Sequence, residues 1–188
     1  MIRPLSIERA ADALCAGGIV AYPTEGVWGL GVDPFNKAAV DALTALKGRS
    51  PAQGYIVVAA DAAQVAPYMA PLAPDIEAQM RASWPGPVTW VVPVVDGFPN
   101  WVTGHFSTVA IRVSAHPVVA ALCRAFGGPI VSTSANPHRL VPAADALKVR
   151  LYFGQQIDCI VPGALGGQRG PTEIRDALTG RVLRCAGG

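Results

Sequence analysis

Apolar positions along this chain switch between a helical and a strand-like period, and the switches mark its predicted elements. Ile7, Ala10, Ala11 and Leu14 fall at helical spacing behind Ser6, which can cap a helix that Gly17 and Gly18 stop. Ile19 to Tyr22 is a short apolar run, and Pro23 lacks the N–H that a central ladder needs. The strand is therefore predicted to end there, with Thr24 and Glu25 at the mouth of a sheet. Asn36 precedes a second helical face of Ala39, Val40, Leu43 and Leu46, which Lys47 and Arg49 close. Tyr55 to Ala60 is too short and too β-branched for a helix and reads as a buried strand. Asp61 opens a helix that Pro67 breaks, and a further helix is predicted from Asp75 to Trp84.

The second half continues the pattern. Val88 to Val95 reads as a strand, and Pro87 and Pro93 predict that it is an edge strand or is bulged. Asp96 to His105 reads as a loop, and Thr108 to Val113 as a strand with Arg112 near its end. Because a charge in such an apolar run is costly to bury unpaired, Arg112 is either salt-bridged or facing an anionic ligand. His116-Pro117 opens a helix, and Pro129 to Ser132 is a short strand that empties into STSAN. A helix follows from Pro142 to Phe153, with Ala143, Leu147, Leu151 and Tyr152 as its apolar positions. Cys159 to Val161 is another strand, GALGGQRG predicts a mobile connection, and TEIRDALTGRVLRC has the alternation and Thr179-Gly180 turn of a hairpin. Unequal spacing, proline-marked strands and a terminal hairpin predict an α/β fold with a twisted mixed β-sheet and flanking helices rather than a purely parallel sheet.

Composition narrows this further. With 188 residues, 51% of them hydrophobic, one domain spanning residues 1–188 is expected. A net charge of +2 is too small to force a nucleic-acid reading, so any anion site must be local. The four cysteines show no C-x-x-C spacing; Cys15 and Cys123 lie in apolar helical patterns and read as reduced core thiols, which suits a reducing compartment. The start is interrupted by acidic residues, unlike a signal peptide, and no run nears the roughly 18 to 20 apolar residues a membrane span needs. A soluble, cytoplasmic protein is expected.

Several chemistries find no support. There is no G-x-x-x-x-G-K-[ST] loop, and GLGVDP lacks the third glycine of a dinucleotide fingerprint. His105, His116 and His138 have no ligand-like spacing, so no protein-held metal is expected. Ser132 and Ser134 lack a G-x-S-x-G elbow. What remains is a set of hydroxyls, amides and cations at strand ends: Thr24, Lys47, Arg49, Thr108, Arg112, Ser132, Thr133, Ser134, Asn136, Thr172 and Arg184. Taken alone, Lys47 and Arg49 only complement a helix dipole and STSAN is a polar turn. Together, with the SPAQG loop, they would form a basic rim suited to a polyanion, whose oxygens short hydroxyls and N–H groups can wrap. Phosphoryl-type transfer needs mainly that, plus a metal that arrives with the nucleotide.

In this order, YPTEGVWGLGVDPFN, LKGR, SWPGPVTWVVP, AIRV followed by HP, STSAN and TEIRDALTGRVLR resemble the YrdC-like threonylcarbamoyl-AMP synthases, most closely their short bacterial single-domain members. The resemblance covers essentially the whole chain. It implies a YrdC/dihydroxybutanone-phosphate synthase-like fold around a basic cavity. The implied enzyme makes threonylcarbamoyl-adenylate and diphosphate from L-threonine, bicarbonate or CO2, and ATP carrying Mg²⁺. Partner threonylcarbamoyl-transferase proteins then modify tRNA.

By position, the resemblance assigns Lys47 and Arg49 to catalysis and the ATP phosphates, and Gln53, Thr108, Ser134, Asn136 and Arg184 to the nucleotide. Arg112 falls to the threonine carboxylate, with Thr24, Ser132 and Thr172 around the amino acid. Gly26 stands where relatives often have Thr, Gln53 where they often have Asn or Lys, and PHRLVPA, with His138 and Arg139, replaces a small Ser-Gly. Two alternatives stand beside this. A non-catalytic module binding tRNA or other RNA in the basic cavity would lose affinity steeply with salt and would not need threonine, and few aromatics interleave with the basic residues. A dihydroxybutanone-phosphate synthase-like enzyme would want clustered acidic metal ligands, and only Glu25 and Asp33 lie near the first motif.

Overall fold

A computed structural model of the chain describes residues 4–168, 170 and 172–185. Its elements in order are α1 (Pro4–Cys15), β1 (Val20–Pro23), β2 (Trp28–Val32), α2 (Lys37–Lys47), β3 (Ile56–Ala59), α3 (Pro74–Ser83), β4 (Val88–Pro93), α4 (Asn100–Thr103), β5 (Thr108–Val113), α5 (Pro117–Phe126), β6 (Ile130–Ser134), α6 (Ala146–Phe153), β7 (Cys159–Ile160), β8 (Glu173–Asp176) and β9 (Val182–Arg184). The nine strands form one twisted sheet in the order β7-β1-β2-β6-β3-β5-β4-β8-β9. Pairing is mixed: β1–β7, β3–β5 and β4–β8 are parallel, and the other neighbours antiparallel.

Strand alternation sorts the core into two layers. On one face Ala21, Leu30, Val57, Trp90, Val92, Ile111 and Val131 pack with Ala39, Val40 and Leu43 of α2 and Met80 of α3. On the other, Val20, Tyr22, Val58 and Ile130 pack with Ile7, Ala10 and Leu14 of α1 and Val118, Val119, Leu122 and Cys123 of α5. The helices of this second layer leave part of the sheet uncovered. There a row of paired residues crosses four strands: Ser132 opposes Ile56, and Ile56 opposes Ala110, with Val91 next to Ala110 on β4. All four line a cavity.

Several predicted elements shift. α1 begins at Pro4, so Ser6 lies inside its first turn and is not the cap, although Ile7, Ala10, Ala11 and Leu14 are its buried face. Cys15 is exposed, being one residue past that stripe, whereas Cys123 is buried and its thiol is pushed up to about 12 by burial. β2 is a strand the pattern did not predict. Its glycines are required by the ring of Tyr22, since a Cβ on Gly31 would lie 2.8 Å from Tyr22 Cε1. Asp61 caps only a 3₁₀ turn, Ala62–Gln64, before a second at Ala66–Tyr68 that holds Pro67. α4 interrupts the predicted loop 96–105.

β4 lies between β5 and β8, so it is no edge strand; Pro87 and Pro93 bound it instead, with Pro93 at its last pairing position. β6 runs on through Ser134, so the first three residues of STSAN are strand and not loop. α6 starts later than predicted, capped by Asp145, and buries Val149 and Phe153 while Leu147 and Leu151 face solvent. Among the described residues no helix is long and apolar enough to cross a membrane.

Candidate active site

The cavity encloses about 760 Å³ between the uncovered sheet face and the C-terminal hairpin. Thr24, Arg49, Thr108, Arg112, Ser132, Thr133, Ser134, Thr172 and Arg184 all line it, from segments spread over nearly the whole chain. Lys47 and Asn136 stand behind its wall, bonded to Ser134, and Gln53 is exposed, outside the lining, on the loop after α2.

At one end, α2 delivers the two cations. Asn36 caps it, its side chain accepting from Ala39 N–H at 3.2 Å, and Gly48 ends it in the left-handed conformation with φ 59°. That turn separates the cations: Lys47 stays on the buried helix face and Arg49 swings toward the cavity. Arg49 Nη2 donates to Gly54 O at 2.5 Å and its guanidinium lies 4.6 Å from the Tyr55 ring centre, while its buried Nε has no hydrogen-bond partner among the described residues. Burial holds the Arg49 pKa below its usual value. Lys47 Nζ donates to Ser134 O, to Asn136 O at 2.9 Å and to Asn136 Oδ1 at 3.3 Å. Burial, then Arg49, pull its pKa down to about 8.

Asn136 ties the loop after β6 together. Its Oδ1 accepts from Ser134 Oγ at 2.6 Å, and its Nδ2 donates to Pro137 O and Leu140 O. Within the turn that follows, Arg139 has φ 65°, the one non-glycine residue with positive φ among those described. Across the cavity, Arg184 donates from Nε and Nη2 to Thr172 O at 3.1 and 2.8 Å. Burial and then Arg112 lower its pKa.

The other end is built around Arg112. Its Nη1 donates to Thr172 Oγ1 at 3.0 Å, and its Nη2 lies 3.3 Å from Glu25 Oε2 in an ion pair almost fully withdrawn from water. Of the two alternatives left open for Arg112, the salt bridge is present, and the guanidinium also lines the cavity. Glu25 Oε1 accepts from Ser114 Oγ at 2.6 Å. Tyr22 Oη donates to Ser132 Oγ at 2.9 Å, and Thr24 Oγ1 donates to Val27 O. Burial raises the Tyr22 phenol well above its ordinary value.

Glu25, Ser114 and Tyr22 were missed as site residues. The available signal was the need of a buried Arg112 for a carboxylate, and Glu25 is the acid in the turn that follows the first strand. The stretch expected to be mobile is pinned where Gly166 and Gln168 N–H donate to Thr24 O and Glu25 O. Arg169 and Pro171 lie outside the described residues. Gly26 accommodates this cover, because a Cβ there would lie 2.6 Å from Gly170 O.

Comparison with known proteins settles the family. The model of the Sua5, YciO and YrdC family, described as "Telomere recombination", matches residues 12–186. The chain belongs to the Sua5/YciO/YrdC family. Within it, the threonylcarbamoyl-AMP synthase of Halorhodospira halophila is 55% identical over 182 residues, covering 97% of this chain and 95% of the relative. The synthase of the same name from Nitrosococcus oceani is 47% identical over 178 residues, covering 95% and 96%. Among solved Sua5/YciO/YrdC structures, P. abyssi Sua5 complexed with L-threonine superimposes with a TM-score of 0.88 at 30% identity over 94% of this chain. This chain spans only 52% of that protein's length. E. coli YciO, at 24% identity and a TM-score of 0.86, shares the fold over 99% of this chain and 91% of its own.

Proposed function

We propose that this chain is a threonylcarbamoyl-AMP synthase, a nucleotidyltransferase that condenses L-threonine, bicarbonate or CO2, and ATP, and releases diphosphate. The observation that carries this reading is one cavity with two unlike cationic ends: Arg49, which meets no carboxylate among the described residues, and Arg112, which meets one and stands beside Arg184. The first end suits phosphates and the second the carboxylate of an amino acid. The names of the close relatives and the threonine complex of P. abyssi Sua5 point the same way.

In the proposed reaction the amine of threonine adds to CO2, forming the N–C bond as a proton leaves to solvent. A carbamate oxygen then attacks the α-phosphorus in line, and the bond to the bridging oxygen breaks as diphosphate departs. The chain supplies position and charge. Arg49 and Arg184 hold the phosphates, with Ser134 and Thr108 beside them and Gln53 at the outer loop. Lys47 joins when its ammonium exchanges its Asn136 contacts for phosphate oxygens. Arg112 and Thr172 orient the carboxylate, with Thr24 and Ser132 next to the side chain.

The donor set does not fit a resident divalent ion. Among the described residues no three acidic, histidine or cysteine side chains gather, and Glu25 is committed to Arg112 and Ser114. Magnesium accordingly belongs to the substrate, as the ATP salt. The reading includes a cytoplasmic setting, a single domain, and hand-over of the product to a threonylcarbamoyl-transferase acting on tRNA. Diphosphate release measured with each substrate omitted in turn is the test. Release that needs threonine and bicarbonate together is expected, and release indifferent to threonine overturns the reading.

A further inference from the structure

Among the described residues three guanidiniums border the cavity, and they are not electrically alike. Arg49 donates to the carbonyl of Gly54 and Arg184 to that of Thr172, so neither charge is matched. Among the described residues the other ion pairs are Lys37–Asp41, Arg81–Glu77 and Arg175–Glu173, none of them on these arginines. Arg112 alone of the three faces a carboxylate.

That carboxylate is built in with care. Ser114 Oγ fixes Glu25 Oε1 and in turn receives His116 N–H at 3.1 Å. Gly166 lies over Glu25 so closely that a Cβ would sit 3.0 Å from Glu25 Cα. Glu25 Oε2 is buried and makes no hydrogen bond among the described residues, where Arg112 is the cation its charge faces. Arg112 and Arg184 also share Thr172, one on its hydroxyl and one on its carbonyl, which puts the paired and the unpaired guanidinium side by side.

An arginine fork binds phosphate and carboxylate with the same geometry. In a cavity suited to a triphosphate, a bare Arg112 would be one more phosphate ligand. A fixed carboxylate beside it offsets the charge of Arg112 itself. It repels a dianion strongly and a single carboxylate less, and an adjacent ammonium offsets that remainder.

We propose that Glu25 is a specificity-determining residue that reserves Arg112 for the singly charged carboxylate of a zwitterionic amino acid and keeps phosphates out of that subsite. This rests on the reading of Arg112 as the amino-acid anchor, and the test separates the two. Calorimetric titration of the full chain with L-threonine, with and without inorganic phosphate, is run on the wild type, Glu25→Gln and Ser114→Ala.

In the wild type, phosphate is expected to leave threonine affinity unchanged. In Glu25→Gln it should compete, weakening threonine binding by about 10-fold. Ser114→Ala keeps the charge but frees its aim and should show weaker competition. A merely structural Glu25 would lower affinity without creating this competition. Competition absent from Glu25→Gln, or already present in the wild type, overturns the proposal. Where Glu25→Gln does not fold, absence of competition in Ser114→Ala overturns it. A wild type that binds no threonine defeats the functional reading instead. In that case phosphate alone still decides, because Glu25→Gln should take up one phosphate more than the wild type, and equal uptake refutes the filter.

Discussion

The cations around the cavity are held by two different means. Around Lys47, Arg49 and Arg184 the partners are main-chain carbonyls and one amide oxygen, dipoles that satisfy hydrogens without cancelling charge, and all three groups have depressed pKa values with burial as the first cause. Around Arg112 the partner is a full negative charge. The first set has no counter-charge among the described residues, which an arriving polyanion would supply, and Arg112 carries its own before any ligand comes. Two kinds of cationic subsite thus sit within one cavity, and how each cation is neutralised tells them apart.

The sharpest way to break this contrast is Arg112→Ala. It strands a buried Glu25, and removing one member of such a pair destabilises by about 3–5 kcal/mol. Urea unfolding should show that loss, and a change too small to measure would mean that water already screens the pair. At the other end, Lys47→Ala should lower kcat/KM for diphosphate release by about 100-fold, the typical effect of removing one donor to a charge that develops in a reaction.

Lys47 also predicts a pH signature. Its pKa of about 8 lies below the ordinary 10.5, so between these values the folded chain binds fewer protons than the unfolded one, and folding stability rises with pH across that window. Activity carried by the ammonium falls as pH passes about 8. Lys47→Arg keeps any influence of pH on the bicarbonate supply and should lose the break near that value.

Gly31→Ala tests the support beneath Arg112's end. Its new methyl would meet the Tyr22 ring at 2.8 Å and push the phenol from Ser132, costing about 1–3 kcal/mol in thermal or urea unfolding. The smallest effect is expected of Gln53→Ala. This exposed side chain lies outside the lining, and KM for ATP should change by less than about twofold, in keeping with surface substitutions elsewhere. A tenfold rise would instead bring that loop over the phosphates.

Legibility in the sequence followed the strength of local signals. Asn36 before an apolar stripe and Pro117 at a helix start name their elements directly, because cap and φ preferences act within a few residues. β2 escaped because WGLGV takes its glycines from a ring two strand positions away in space, which no local pattern encodes. Ser132 to Ser134 look like a turn by composition, yet β2 pairs with them and draws them into the sheet. The face of α6 was misread since Leu147 and Leu151 are helical and apolar but point to water. At the site, Arg112 announced its need for a partner, but the identity of that partner depended on a contact across 87 positions of sequence.

The terminal hairpin carries Thr172 at its entry and Arg184 on its last strand, and these complete a pocket whose lining begins, in chain order, at Thr24. A polypeptide leaving the ribosome therefore has most of its sheet in place before it owns a working chamber. Until β8 adds beside β4 and brings β9 with it, the newborn chain lacks Thr172 and Arg184, and the chamber they line stays open on that side.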